Sequence, residues 1–271
     1  MTMIKVGDIC SELYDPVDLQ DARSTDQICE DWAIGCLERN LNPMDQIALV
    51  LKDGKTEGWC SLDLIEPSKT LFECREPIMP DQIISSEMPI IDTLRMWSPD
   101  APWFYFVIRG HQISGVLTYQ DLYKLPVRLC LFSLLLNLES VALQVTQLSP
   151  QHSFSLLPPG RIENARKVYA LRGYRRETEN ENFLKLLECT TFIDKVTMLR
   201  RNKAFIDAVP SLATGFPRSA ERLRNSLAHP GSERDQFNGL SREQLLPFVE
   251  WAESCEQELL SLLDTDGTTR S

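Results

Sequence analysis

Trp103-Phe-Tyr-Phe-Val-Ile108, Arg109-Gly110-His111 and Ile113-Ser-Gly-Val-Leu117 make up the stretch that decides the fold. An apolar run, a turn signal and a second run are the marks of two strands joined tightly. Thr118-Tyr-Gln-Asp121-Leu122 then opens a helix. About sixty residues upstream the order is the same: Ile47-Ala-Leu-Val-Leu51, the turn Lys52-Asp-Gly54, Thr56-Glu-Gly-Trp-Cys60, and a new beginning at Ser61-Leu-Asp63. An amphipathic helical stretch precedes each strand pair, Thr25 to Glu38 and Ile90 to Trp97. A repeat of this size that cannot bury its core alone is expected to pack against its twin.

From Pro126 onward the pattern is helical throughout. Val127 to Leu148 carries leucines on most faces, as a helix buried among neighbours does, with Glu139 as its lone acidic residue. Pro150 and Pro158-Pro159-Gly160 punctuate a connection. Further helices are expected over Ile162 to Leu171, Glu181 to Leu199 and Ser219 to Ala228, with a turn of helix at Lys203 to Val209. Ser241 is the expected N-cap of a last helix running to about Leu263. The domain plan is thus 1–70 and 71–125 for the repeats, 126–265 for the helices, and a disordered tail over 266–271.

Formal charge separates the same regions. The chain carries −11 overall, which taken alone argues against nucleic acid as a partner, but its distribution matters more. Residues 1–150 hold 11 basic and 22 acidic side chains, whereas residues 151–235 hold 15 basic and 10 acidic. Arg172-Gly-Tyr-Arg175-Arg176 and Arg200-Arg201-Asn-Lys203 read as a track for a phosphate backbone or, equally, as solvated helix ends. The eight cysteines show no paired spacing, so neither a zinc site nor a disulfide framework is expected. No apolar run reaches membrane-spanning length, since Leu129 to Leu138 is interrupted by Cys130, Ser133 and Asn137. The N-terminus lacks a charged-then-apolar signal layout. The expectation is a reduced, cytoplasmic protein with no membrane partner.

The second repeat resembles a CBS domain, from Ile83-Ile-Ser-Ser86 through Pro89-Ile-Ile-Asp-Thr-Leu94 to Gly115-Val-Leu-Thr118-Tyr-Gln-Asp121. Two such domains in tandem form a Bateman module. The resemblance implies a cleft for an adenine nucleotide (ATP, ADP or AMP), with Asp121 on the ribose hydroxyls, Thr118 beside it, and Ser85 or Ser86 on the strand lining the base. The first copy reads Gly58-Trp-Cys-Ser61-Leu-Asp63, one residue short between hydroxyl and carboxylate. On a helix start that slip turns the carboxylate of Asp63 by about 100°.

Arg222-Leu-Arg224-Asn225-Ser-Leu-Ala-His229, closed by Pro230, resembles the signature of the HEPN family of all-helical domains. The fold class that follows is α+β: a tandem CBS module, itself an α/β repeat, followed by an all-α HEPN-like bundle. The resemblance implies metal-independent RNA cleavage of the stress or phage-defence toxin kind, with no cofactor for catalysis. His229 would act as general acid or base around attack of the 2′-hydroxyl, and Arg224 would hold the scissile phosphate. Asn225 would position the histidine or a phosphate oxygen, and Glu139 would support the cleft. On one helix Arg224 and His229 stand about 140° apart and about 7.5 Å along the axis. A homodimer that brings two copies across a twofold axis meets that geometry. The ordinary alternatives are an ion pair of Arg224 with Glu221 or Glu188, a histidine that merely caps a helix, and an Asp194-Lys195 pair at the surface or within the domain. A non-catalytic protein whose helical domain docks a partner or antitoxin protein is the competing function.

Overall fold

The computed structural model describes residues 5–11, 14–18, 28, 30–31, 34, 47–66, 69–97, 102–174, 182–213, 217–228 and 242–269. The chain is mixed α+β and divides into two units, Met1–Pro126 and Val127–Ser271.

In the first unit, β1 (Tyr14–Asp18), β2 (Ile47–Lys52) and β3 (Lys55–Ser61) form one sheet in that order. After the single turn α1 (Leu71–Cys74), a second sheet contains β4 (Ile83–Ser85), β5 (Phe104–Arg109) and β6 (Gln112–Thr118), with α2 (Ile90–Met96) between its first two strands. Each sheet pairs its first strand parallel and its hairpin antiparallel. The hairpin registers coincide at a constant offset of 57 positions, Ile47↔Ser61 against Phe104↔Thr118. Even the irregularities match, at Val50/Leu51 and Val107/Ile108.

Equivalent residues of the two copies meet in one core: Ile47 and Phe104, Leu49 and Phe106, Trp59 and Val116. The Trp59 ring stands edge-on to Phe104 at 4.8 Å between centroids, a favoured aromatic arrangement. The alternate residues of β5 are buried too, and Tyr105 packs against Trp97 and donates to the Met96 carbonyl. Strands covered on both faces read as continuous apolar runs, which is how Phe104–Val107 looks in sequence.

Each copy also supplies the edge residue of its twin's sheet. Ser11 exchanges both backbone hydrogen bonds with Val116, at 2.8 and 2.9 Å, while Glu76 does the same with Trp59. The crossing backbone explains two glycines. A Cβ on Gly58 would lie 2.4 Å from the Glu76 carbonyl oxygen, and one on Gly115 would lie 2.5 Å from that of Ser11.

The second unit is helical. Its elements are α3 (Leu125–Gln147), α4 (Pro150–Ser155), α5 (Pro159–Leu171), α6 (Phe183–Glu188), α7 (Phe192–Arg201), α8 (Lys203–Ala208), α9 (Pro217–Ala228) and α10 (Arg242–Thr269). Phe154, Leu157, Tyr169, Leu186, Leu187 and Met198 form one core cluster, with Leu143 of α3 packed on it. The last helix buries Leu245, Phe248, Val249, Ala252, Cys255 and Leu259 at helical spacing. It is tied to the short turn Pro210–Ala213, ahead of α9, by Glu258, which accepts from the backbone N–H and hydroxyl of Ser211, and by Trp251, whose indole N–H donates to the Ser211 carbonyl.

Four expectations change. The single helix expected over Glu181 to Leu199 is two, because Thr191 and Asp194 form a capping box that starts α7 afresh. Pro150 begins a helix rather than a loop, since a proline at the first helical position has no N–H to leave unpaired. Helix α10 continues to Thr269, through most of the segment expected to be a disordered tail. Finally, α3 is the one helix among the described residues long and apolar enough to cross a membrane. Its polar interruptions are too few to lower the average, and Val127, Leu131, Leu135, Leu138, Val141 and Val145 are buried in the fold.

Candidate functional site

Three charged side chains from three helices of the second unit converge. Helix α7 carries a stripe at Phe192, Lys195, Val196 and Leu199, all buried. A lysine within such a stripe is carried inward with its neighbours. Its ammonium donates to Glu139 Oε1 of α3 at 3.0 Å and to the Thr190 carbonyl at 2.8 Å. Burial pushes the Lys195 pKa below the ordinary lysine value, and the attraction of Glu139 opposes that shift. On α9, Arg224 lies one turn beyond the fully buried Ala220 and beside the equally buried Leu223. Its guanidinium reaches Glu139 Oε2 at 3.2 Å.

Exposure grades outward through this cluster. The Lys195 side chain is 4% exposed, Glu139 16% and Arg224 35%. The Arg224–Glu139 contact has the distance of an ion pair but not the alignment of a hydrogen bond, and Glu139 Oε2 and Arg224 Nε are buried without a hydrogen-bond partner. Two cations thus share one carboxylate, and Arg224 is the most exposed of the three. Arg224 Nη1 also donates to the Asn225 side-chain carbonyl at 3.3 Å, joining the neighbouring motif residue to it.

The structure therefore brings together Arg224, Asn225 and Glu139 and adds Lys195, which the sequence reading gives as half of an Asp194-Lys195 pair. The apolar stripe of α7 is the signal that marks it. Asp194 turns instead to its own helix start and to Arg161, 3.5 Å away. Arg224 pairs with neither Glu221 nor Glu188 but with Glu139. His229 lies outside the described residues, as do Arg175 and Arg176.

In the first unit, Asp121 is buried, with its side chain 2% exposed. Its Oδ2 accepts from the Thr118 backbone N–H at 2.6 Å and from the Thr118 hydroxyl at 3.0 Å. Its Oδ1 accepts from the Ser11 hydroxyl and faces the Lys124 ammonium at 2.7 Å. The carboxylate assigned to ribose is thus fully engaged by the chain. Ser86 is buried, with its hydroxyl unpaired, whereas Ser85 is exposed and accepts from the Glu87 N–H. Asp63 is exposed and accepts from the Ser61 hydroxyl. Among the described residues no three His, Cys, Asp or Glu side chains cluster as metal ligands. Cys10, Cys74, Cys130, Cys189 and Cys255 are free thiols. No family model and no curated protein matches this chain, so its chemistry is read from these residues themselves.

Proposed function

We propose that the helical unit is a metal-independent endoribonuclease of the HEPN kind, active as a homodimer. In this reading the N-terminal repeats are a tandem CBS sensor in which an adenine nucleotide governs cleavage, and the protein is a cytoplasmic stress or defence toxin. The observation that supports it is the Lys195–Glu139–Arg224 cluster. A buried lysine fixes the carboxylate, and the carboxylate orients an arginine that keeps a partly exposed face for phosphate. The RNA 2′-hydroxyl loses its proton as its oxygen bonds to phosphorus, and the 5′-oxygen leaves and takes up a proton. His229 serves these transfers and Arg224 offsets the charge growing on the phosphate. The test is incubation of the purified protein with total RNA, with and without ATP or AMP, beside Arg224→Ala and His229→Ala. Loss of cleavage by about a hundredfold or more in both variants is expected. Equal degradation by wild type and His229→Ala, or none under any nucleotide, overturns it.

A second reading is a nucleotide-binding regulator whose helical unit docks a protein partner. The ion pair that occupies Arg224, together with the −11 net charge of the chain, favours it. It predicts no RNA cleavage and a complex that Arg224→Ala weakens.

A further inference from the structure

A second positively charged feature of the helical unit lies on other faces of α7 and α9. A cavity of about 810 Å³ is lined by Arg161 of α5, Arg200 and Arg201 of α7, and Arg218 and Arg222 of α9. Helical spacing produces the convergence. Ile193, Thr197, Arg200 and Arg201 recur at intervals of three and four, as do Arg218, Glu221 and Arg222, so each set shares one helix face. Lys195 and Arg224 belong to the buried cluster instead, so these two helices each serve two sites.

The cavity is overcharged. Its five guanidiniums face two carboxylates, Asp194 and Glu221. Asp194 already caps α7 and pairs with Arg161. Arg201 donates to the Leu156 carbonyl at 2.8 Å. Among the described residues Arg200, Arg218 and Arg222 have no anionic partner. Like charges gathered in one concavity repel and focus a field on an anion. In a chain of net charge −11, carboxylates were plentiful, yet they are not placed here.

We propose that this cavity binds an oligophosphate, two or more phosphates in a row, as nucleoside polyphosphates carry. Charge sets the number of phosphates. A single phosphate ester brings about −1.5 to −2, below the surplus of five arginines over two carboxylates. A nucleic-acid strand spreads its charges along its length, whereas these guanidiniums line one concavity. The volume lies within the roughly 300–1,000 Å³ typical of pockets for small ligands. Planar guanidiniums suit phosphate oxygens through paired N–H donors. Pro158 and Ile193 supply an apolar wall for a base. The assignment does not rest on RNA cleavage and holds whether or not Arg224 and His229 cut.

The test is calorimetric titration of the full chain with inorganic tripolyphosphate, ATP, GTP, adenosine and a short single-stranded RNA. The variants are Arg200→Ala/Arg222→Ala and, as a control for net charge, Lys55→Ala/Lys167→Ala on exposed positions outside the cavity. Tripolyphosphate and the nucleotides are expected to bind and adenosine not to. The cavity variant should weaken binding at least about tenfold, and the control should leave it unchanged. Nucleotides tighter than tripolyphosphate identify a nucleotide site, while equal affinity identifies recognition of the phosphate chain alone. Three results overturn the proposal: no binding of tripolyphosphate or nucleotide, binding indifferent to Arg200 and Arg222, or dependence on these arginines for RNA only.

Discussion

Lys195 donates to Glu139 at 3.0 Å with its side chain almost wholly buried, and that one bond ties α7 to α3. Removing one partner of a buried pair leaves an uncompensated charge, whereas replacing both with apolar residues of similar size is tolerated. Glu139→Ala is therefore expected to lower stability by about 3–5 kcal/mol, with Lys195 and Arg224 left facing each other. The double variant Glu139→Leu/Lys195→Met should lie well above the single one in urea unfolding. A double-mutant cycle with a coupling below about 0.5 kcal/mol would contradict the pairing.

The two glycines under the crossing edges give a second test. Gly58→Ala and Gly115→Ala force a methyl against a backbone carbonyl that is itself hydrogen bonded, and each should cost about 1–3 kcal/mol. Gly160→Ala is the contrast, because nothing lies within 4 Å of its added Cβ and it sits in the first turn of α5. That substitution should be neutral or mildly stabilising. Urea midpoints of the three variants decide the matter.

Cys255 carries the clearest pH signature. Burial, with Glu258 adding to it, pushes its thiol up to about 12 from 9.0. The folded pKa is raised, so the stability it supports is complete below pH 9 and is lost as pH rises toward 12, where the unfolded thiol ionises and the folded one does not. The slope in that window is about 1.4 kcal/mol per pH unit. Cys255→Ala should flatten it in urea titrations at pH 9–11. The native thiol should also react last with an alkylating reagent, and rapid modification of Cys255 in the folded protein would contradict the burial.

The hairpins were legible because Ile47–Leu51 and Phe104–Ile108 are apolar runs bounded by turn residues, and their twofold likeness was legible because it is written in the order of the chain. β1 was not, since Tyr14-Asp-Pro-Val-Asp18 looks like an acidic loop and becomes a strand only through its parallel pairing with β2. The exchange of edge residues leaves no local trace beyond two glycines. At the site, Glu139 and Arg224 stood out by chemistry, yet their contact joins α3 to α9 and no spacing rule relates them. Lys195 was hidden by the habit of reading a charged residue as solvated, although its neighbours Phe192, Val196 and Leu199 placed it inside. Asp121 shows the opposite limit: its type and position suggest a ligand, but Ser11, 110 positions away, already bonds to it.

That separation bears on how the protein is made. Ribosomes emit roughly 5–20 residues per second, so Ser11 waits about 5–20 s before Asp121 exists to receive it. Until then β1, β2 and β3 can assemble, but the segment around Ser11 has no sheet to close. In the nascent first repeat Ser11 thus has no backbone partner until the second repeat, with Val116, has been made. A product truncated before Val116 lacks the strand on which Ser11 closes.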